Sequence, residues 1–144
     1  PKTLDGIESI TELLKANEMN RVLLVTDKGI RGLGLTSPLE KHLEENGVQF
    51  TDCGCNGEAV DYPDIAAETC AKVLSGECDK AILICGTGIG MSIAANKIHG
   101  IRAACCGDTY SAAMTRCHNN ANVLCMGARV VGEGVALVAG KTVE

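Results

Sequence analysis

Apolar positions along this 144-residue chain switch repeatedly between helical and strand periods. Ile7, Ile10 and Leu14 recur at helical spacing and predict a helix over residues 4–17. "RVLLVTD" (21–27) follows as a short apolar run ending in an acid, the pattern of a buried strand. "TSPLEKHLEENG" (36–47) predicts a helix, with Pro38 in its first turn and Gly47 at its stop. "VQFTDCG" (48–54) predicts a second strand, and "DYPDIAAETCAKVLSGEC" (61–78) a helix with Pro63 near its start. "KAILI" (80–84) predicts a third strand, "MSIAANKIHG" (91–100) the next helix, and "IRAACC" (101–106) a fourth strand. Asp108 is placed to cap a helix over "TYSAAMTRCHNN", and "NVLCMGARVVG" (122–132) supplies a fifth strand and a turn. Such alternation predicts an α/β fold: a doubly wound, Rossmann-like, five-stranded parallel sheet in a three-layer sandwich. No linker or low-complexity stretch interrupts the pattern, so residues 1–144 read as a single domain.

Composition narrows the partners. A net charge of −5 argues against non-specific nucleic-acid binding, which wants a basic face. No apolar run approaches the roughly 20 residues of a membrane span. The opening "PKTLDGIESI" lacks the apolar stretch of a secretory signal, so a cytoplasmic location is the expectation. Nine cysteines, an odd number without a CxxC pair, read mostly as reduced, small core residues rather than a disulfide framework or a zinc site. With aromatic residues at 2%, the core must be built from small aliphatic side chains, which suits helices lying close on a parallel sheet.

Ligands of open parallel sheets bind beyond the carboxyl ends of the strands, which selects Asp27, Cys85 with its loop, Asp108 and Arg129. Gly86, Thr87, Gly88, Ile89 and Gly90 separate the third strand from the next helix, with three glycines in five residues. A loop so poor in side chains turns backbone N–H groups toward an anion. Cys85 is then held beside that anion, where a thiol is a candidate base or nucleophile. Equally, it is one more buried filler. Thr87 could orient a ligand oxygen or bond the local backbone. His118 and Asn119 close the helix before the last strand, where a histidine serves as an acid or as a simple cap. The spacing is neither the dinucleotide GxGxxG nor a Walker A loop, which lacks its Lys-Ser/Thr here, so a sugar-phosphate or other anion fits best.

The stretches "DYPD", "SGECDKAILICGTGIGMSIAANKIHGIRAA", "DTYSA" and "HNNANVLCMGARVVG" occur in an order and spacing that resemble ribose-5-phosphate isomerase type B and the related galactose-6-phosphate isomerases, over about residues 51–138. That resemblance implies an aldose–ketose isomerase for ribose 5-phosphate and ribulose 5-phosphate that needs neither metal nor organic cofactor. It implies Cys85 as catalytic base and the loop Gly86, Gly88, Ile89, Gly90 around the enediolate, with Thr87 among the catalytic residues. It further implies His118 as the ring-opening acid, Asn119 at the reacting oxygens, Arg129 at the phosphate and Asp27 at the sugar. It implies a homodimer in which His118 and Asn119 serve the neighbouring subunit's site. The family usually has Asp-His after its first strand; here the pair is Asp27-Lys28, which makes Lys28 a candidate substrate contact. The family's C-terminal helix and phosphate-gripping arginines are expected to be missing, with the helix at 4–17 in their place. Residues 4 to about 35, with "RVLLVTDKGIRGLGL", resemble the N-terminal segment of iron-dependent alcohol dehydrogenases, so residues 1–50 read as of different origin from 51–144. The rival functions are a six-carbon sugar-phosphate isomerase, a non-catalytic sugar-phosphate-binding remnant and, least supported, a nucleotide-binding fragment.

Overall fold

A computed structural model describes residues 21–24, 45, 49–54, 60–132, 135, 136 and 139. The described strands are β1 (Arg21–Leu24), β2 (Gln49–Asp52), β3 (Ala81–Cys85), β4 (Ala103–Cys105) and β5 (Val123–Gly127). The helices are α1 (Tyr62–Leu74), α2 (Ile89–Ala95) and α3 (Thr109–Asn119). Every pairing is parallel, in the order β2-β1-β3-β5-β4. The predicted α/β architecture with a parallel sheet is therefore what the chain adopts. Glu45 is helical, inside the helix predicted over 36–47. The helix predicted over 4–17 lies outside the described residues.

Alternation along the strands sends side chains to two cores. Ala81 and Leu83 of β3 with Val123 and Cys125 of β5 meet Ala66 and Cys70 of α1 and Met91 and Ala95 of α2. Leu124 and Met126, on the opposite face, meet Ala112 of α3 and Ala139. Ala66, Ala95 and Ala112 are completely buried, so small residues let the helices sit close on the sheet, as the low aromatic content requires. Five cysteines, at 53, 70, 78, 106 and 125, are buried filler of the expected kind. Burial pushes the Cys70 thiol up to about 11 and the Cys125 thiol higher still, which keeps both inert near neutral pH.

Local boundaries moved for identifiable reasons. α1 starts at Tyr62 with Pro63 in its first turn, as the sequence asks. α2 begins at Ile89, two residues before the predicted Met91, because Gly88 takes a left-handed conformation (φ 80°) and starts the helix inside the glycine loop. It ends at Ala95 rather than running to Gly100; the Asn96 side chain turns back onto both backbone groups of Ala103 at the head of β4. Asp108 caps α3 as expected, accepting from the Ser111 N–H and hydroxyl, each at 2.7 Å. Asn120 stops α3 in the left-handed region (φ 48°).

The expectation of a missing C-terminal helix is corrected. Val135, Ala136 and Ala139 are helical, and Ala139 is fully buried against the α3 face of the sheet. The chain covers that face with its own C-terminal residues, because Leu124 and Met126 would otherwise present apolar surface there.

Candidate active site

β1 and β3 are neighbours whose following connections run to opposite sides of the sheet, since β1 leads to β2 on one side and β3 leads to β4, beyond β5, on the other. That makes their carboxyl ends the switch point where a parallel sheet opens a crevice. Cys85 is the last residue of β3 and half-buried there. Its Sγ accepts the Gly88 N–H at 3.1 Å. The N–H of Ile89 is taken by Thr87 Oγ1 at 3.4 Å, and Thr87 itself is exposed. Among the described residues, no hydrogen-bond acceptor is seen for the N–H groups of Gly86, Thr87 and Gly90, which makes them candidate donors to an oxyanion.

The loop is clamped from β5. Ala128 N–H donates to the Cys85 carbonyl at 2.8 Å and Arg129 N–H to the Gly86 carbonyl at 3.1 Å. These bonds tie the turn that follows β5 to the end of β3 and bring the Arg129 side chain to the loop. A Cβ on Gly86 would lie 3.7 Å from Arg129 Cδ and 3.8 Å from Nε. Cys85, Gly86, Thr87, Gly88, Ile89, Gly90 and Arg129 thus come together at one end of the sheet. Asp27 and Lys28 lie outside the described residues.

His118 and Asn119 do not join them. α3 leaves the carboxyl end of β4 and returns across the sheet before β5 begins. Eleven helical residues carry its end about 16 Å back along the sheet. The Asn119 carbonyl accepts from Arg102 Nε just before β4, fixing this end of the helix at the amino end of the sheet. A hollow of about 320 Å³ opens there, lined by Asn96, Arg102, Thr115 and Asn119 among others, and not at Cys85. His118 and Asn119 are exposed at that far end. Within one chain, Cys85 and His118 cannot act on the same sugar.

Gly127 and Tyr62, both at the loop, escaped the sequence reading. Gly127 packs under it: a Cβ there would lie 2.5 Å from the Thr87 carbonyl carbon. Tyr62 sets its ring over Gly90, whose Cβ would fall 2.9 Å from it. Both come from distant segments, so no local spacing marks them, although Tyr62 stands in the "DYPD" stretch. Among the described residues no cluster of three or more His, Cys, Asp or Glu could hold a metal ion, and no helix is long and apolar enough to cross a membrane.

A sequence profile of the Ribose/Galactose Isomerase family matches residues 22–142. The match begins before the β2 region and ends beyond residue 138, so it takes in residues 22–35 of the segment that resembles iron-dependent alcohol dehydrogenases. Ribose-5-phosphate isomerase B of Escherichia coli is 50% identical over 102 residues, covering 70% of this chain and 68% of that protein. D-erythrulose-4-phosphate isomerase of Pectobacterium atrosepticum is 44% identical over 106 residues, covering 72% of this chain and 70% of its own. The structure of type B ribose 5-phosphate isomerase from Leishmania infantum superposes with a TM-score of 0.76 at 41% identity, covering 87% of this chain and 82% of that one.

Proposed function

The chain belongs to the Ribose/Galactose Isomerase family, and we propose that it interconverts ribose 5-phosphate and ribulose 5-phosphate. Its class is sugar-phosphate isomerase. The observation that carries the reading is the meeting of a thiol, a glycine loop with its N–H donors and a guanidinium at the carboxyl end of β3.

The Cys85 thiolate takes the proton from C2 of the open-chain aldose. The C–H electron pair becomes the C1–C2 double bond, and the former carbonyl oxygen gains the negative charge. Returning the proton to C1, with a proton passing from O2 to O1, yields the ketose without any net gain or loss of electrons. The N–H groups of Gly86, Thr87 and Gly90 stabilise the enediolate oxygens, and the Thr87 hydroxyl orients one of them. Arg129 takes the phosphate as a charge-assisted partner. Asp27 and Lys28, after the first strand, contact the sugar.

His118, as ring-opening acid, and Asn119 come from a second copy of the chain in a homodimer. Their exposure at the far end of the sheet supports this, because a site uniting them with Cys85 needs two chains. The relative named for D-erythrulose 4-phosphate favours a second reading, in which the substrate has four carbons.

A coupled assay across ribose 5-phosphate, erythrulose 4-phosphate and galactose 6-phosphate tests the proposal. Fastest turnover of ribose 5-phosphate is expected. Turnover confined to another sugar phosphate reassigns the substrate, and binding without turnover of any of them leaves a sugar-phosphate-binding domain. Light scattering giving a mass near 15.0 kDa would remove the dimer.

A further inference from the structure

A second sulfur touches the glycine loop. Cys105 ends β4, in register with Cys125 of β5, which is itself in register with Leu83 of β3. Its side chain therefore faces the same side of the sheet as Cys85, two residues short of that level. From there it reaches the underside of the loop. The thiol donates to the Thr87 carbonyl at 3.8 Å, and a Cβ on Gly88 would lie only 3.1 Å from its sulfur. Gly88 is thus held between two sulfurs: its N–H donates to Cys85 and its Cα rests against Cys105.

We propose that Cys105 is a positioning residue for the isomerisation, fixing the Thr87–Gly88 peptide so that the loop's N–H groups keep their aim at the Cys85 sulfur and the reacting oxygens. The inference rests on the isomerase reading above. A residue that only filled space would not need the S–H bond to Thr87, and Cys105 stands on the edge strand β4, exposed in part, with its sulfur turned to the loop. Chemistry suits the role. Partial burial of the sulfur and the neighbouring Cys85 charge push the Cys105 thiol up from its usual value, so it stays protonated near neutral pH. It then offers an S–H to Thr87 and does not compete with Cys85 for the substrate proton. A carbonyl released from that bond can swing, and small misplacements of catalytic donors cost rate rather than binding.

The test compares Cys105→Val, which keeps the bulk without the donor, with Cys105→Ser, which keeps a donor. Readouts are kcat and KM on the sugar phosphate, the rate of iodoacetamide alkylation at Cys85 followed by peptide mass spectrometry at one pH, and the thermal midpoint. Cys105→Val is expected to lower kcat about tenfold with KM within about twofold. Cys105→Ser should recover to within about threefold of the parent, and the alkylation rate at Cys85 should change severalfold only in the valine variant. Equal losses in both variants, or a parental kcat in Cys105→Val, overturn the proposal. If the parent turns over no sugar phosphate, the isomerase reading fails by itself; the alkylation rates then decide, and equal rates in parent and valine variant overturn the positioning role.

Discussion

Gly88→Ala places two separable strains at the centre of the site. The backbone there has φ 80°, and an L-residue held in that region costs about 1–2 kcal/mol. The new Cβ would also lie 2.8 Å from the Met126 carbonyl carbon and 3.1 Å from its Cα. Those atoms are backbone of β5, buried on both faces, so they cannot rotate away. Forcing such a contact costs about 1–3 kcal/mol more, for a total of about 2–5 kcal/mol. Gly76 provides the control, because its φ of 77° carries the first strain while a Cβ there would meet nothing within 4 Å. Urea titrations of the parent, Gly76→Ala and Gly88→Ala should therefore show the loop variant losing about 1–3 kcal/mol beyond the control. Isomerase activity should fall steeply in Gly88→Ala and stay near parental in Gly76→Ala. Equal stability losses in the two variants would refute the close seating of the loop on β5.

Cys85→Ala should abolish isomerisation while sugar-phosphate binding measured by calorimetry survives, since proton abstraction belongs to the transition state; parental turnover would reduce the thiol to filler. Arg129→Ala should raise KM about tenfold, the loss of about 1.4 kcal/mol from one charge-assisted contact, and an unchanged KM would place the phosphate elsewhere. Asp108→Ala should lower the thermal midpoint at pH 7 by removing the α3 cap. The Ser111 N–H and hydroxyl hold the Asp108 carboxyl below its usual 3.8. A depressed carboxylate contributes above its unfolded value and stops contributing as pH falls through its folded one. The gap between parent and variant should accordingly be full above about pH 5 and close as pH drops below 3.8.

The succession of strands and helices along the chain was legible from local signals: a short continuous apolar run for "AILIC", and Pro63 near the start of the helix beginning "YPDIAAETC". The sequence by itself also determined the loop and its thiol, since three glycines between a strand and a helix constrain the backbone wherever the fold places them. Asp108 was legible as a cap for the same reason: its partner, Ser111, is three residues away. Tertiary structure alone decided what meets the loop. Arg129 reaches Gly86 from the turn after β5, while Gly127, Tyr62 and Cys105 arrive from segments whose spacing to Cys85 carries no signal. It decided, too, that α3 carries His118 away from Cys85, a consequence of a helix having to return to the amino end before the next parallel strand can start. Even the burial of Ala139 depended on which face the closing residues found open. Local chemistry writes an element; the face it covers is set by whichever apolar surface the other elements leave bare, and that is a property of the whole chain.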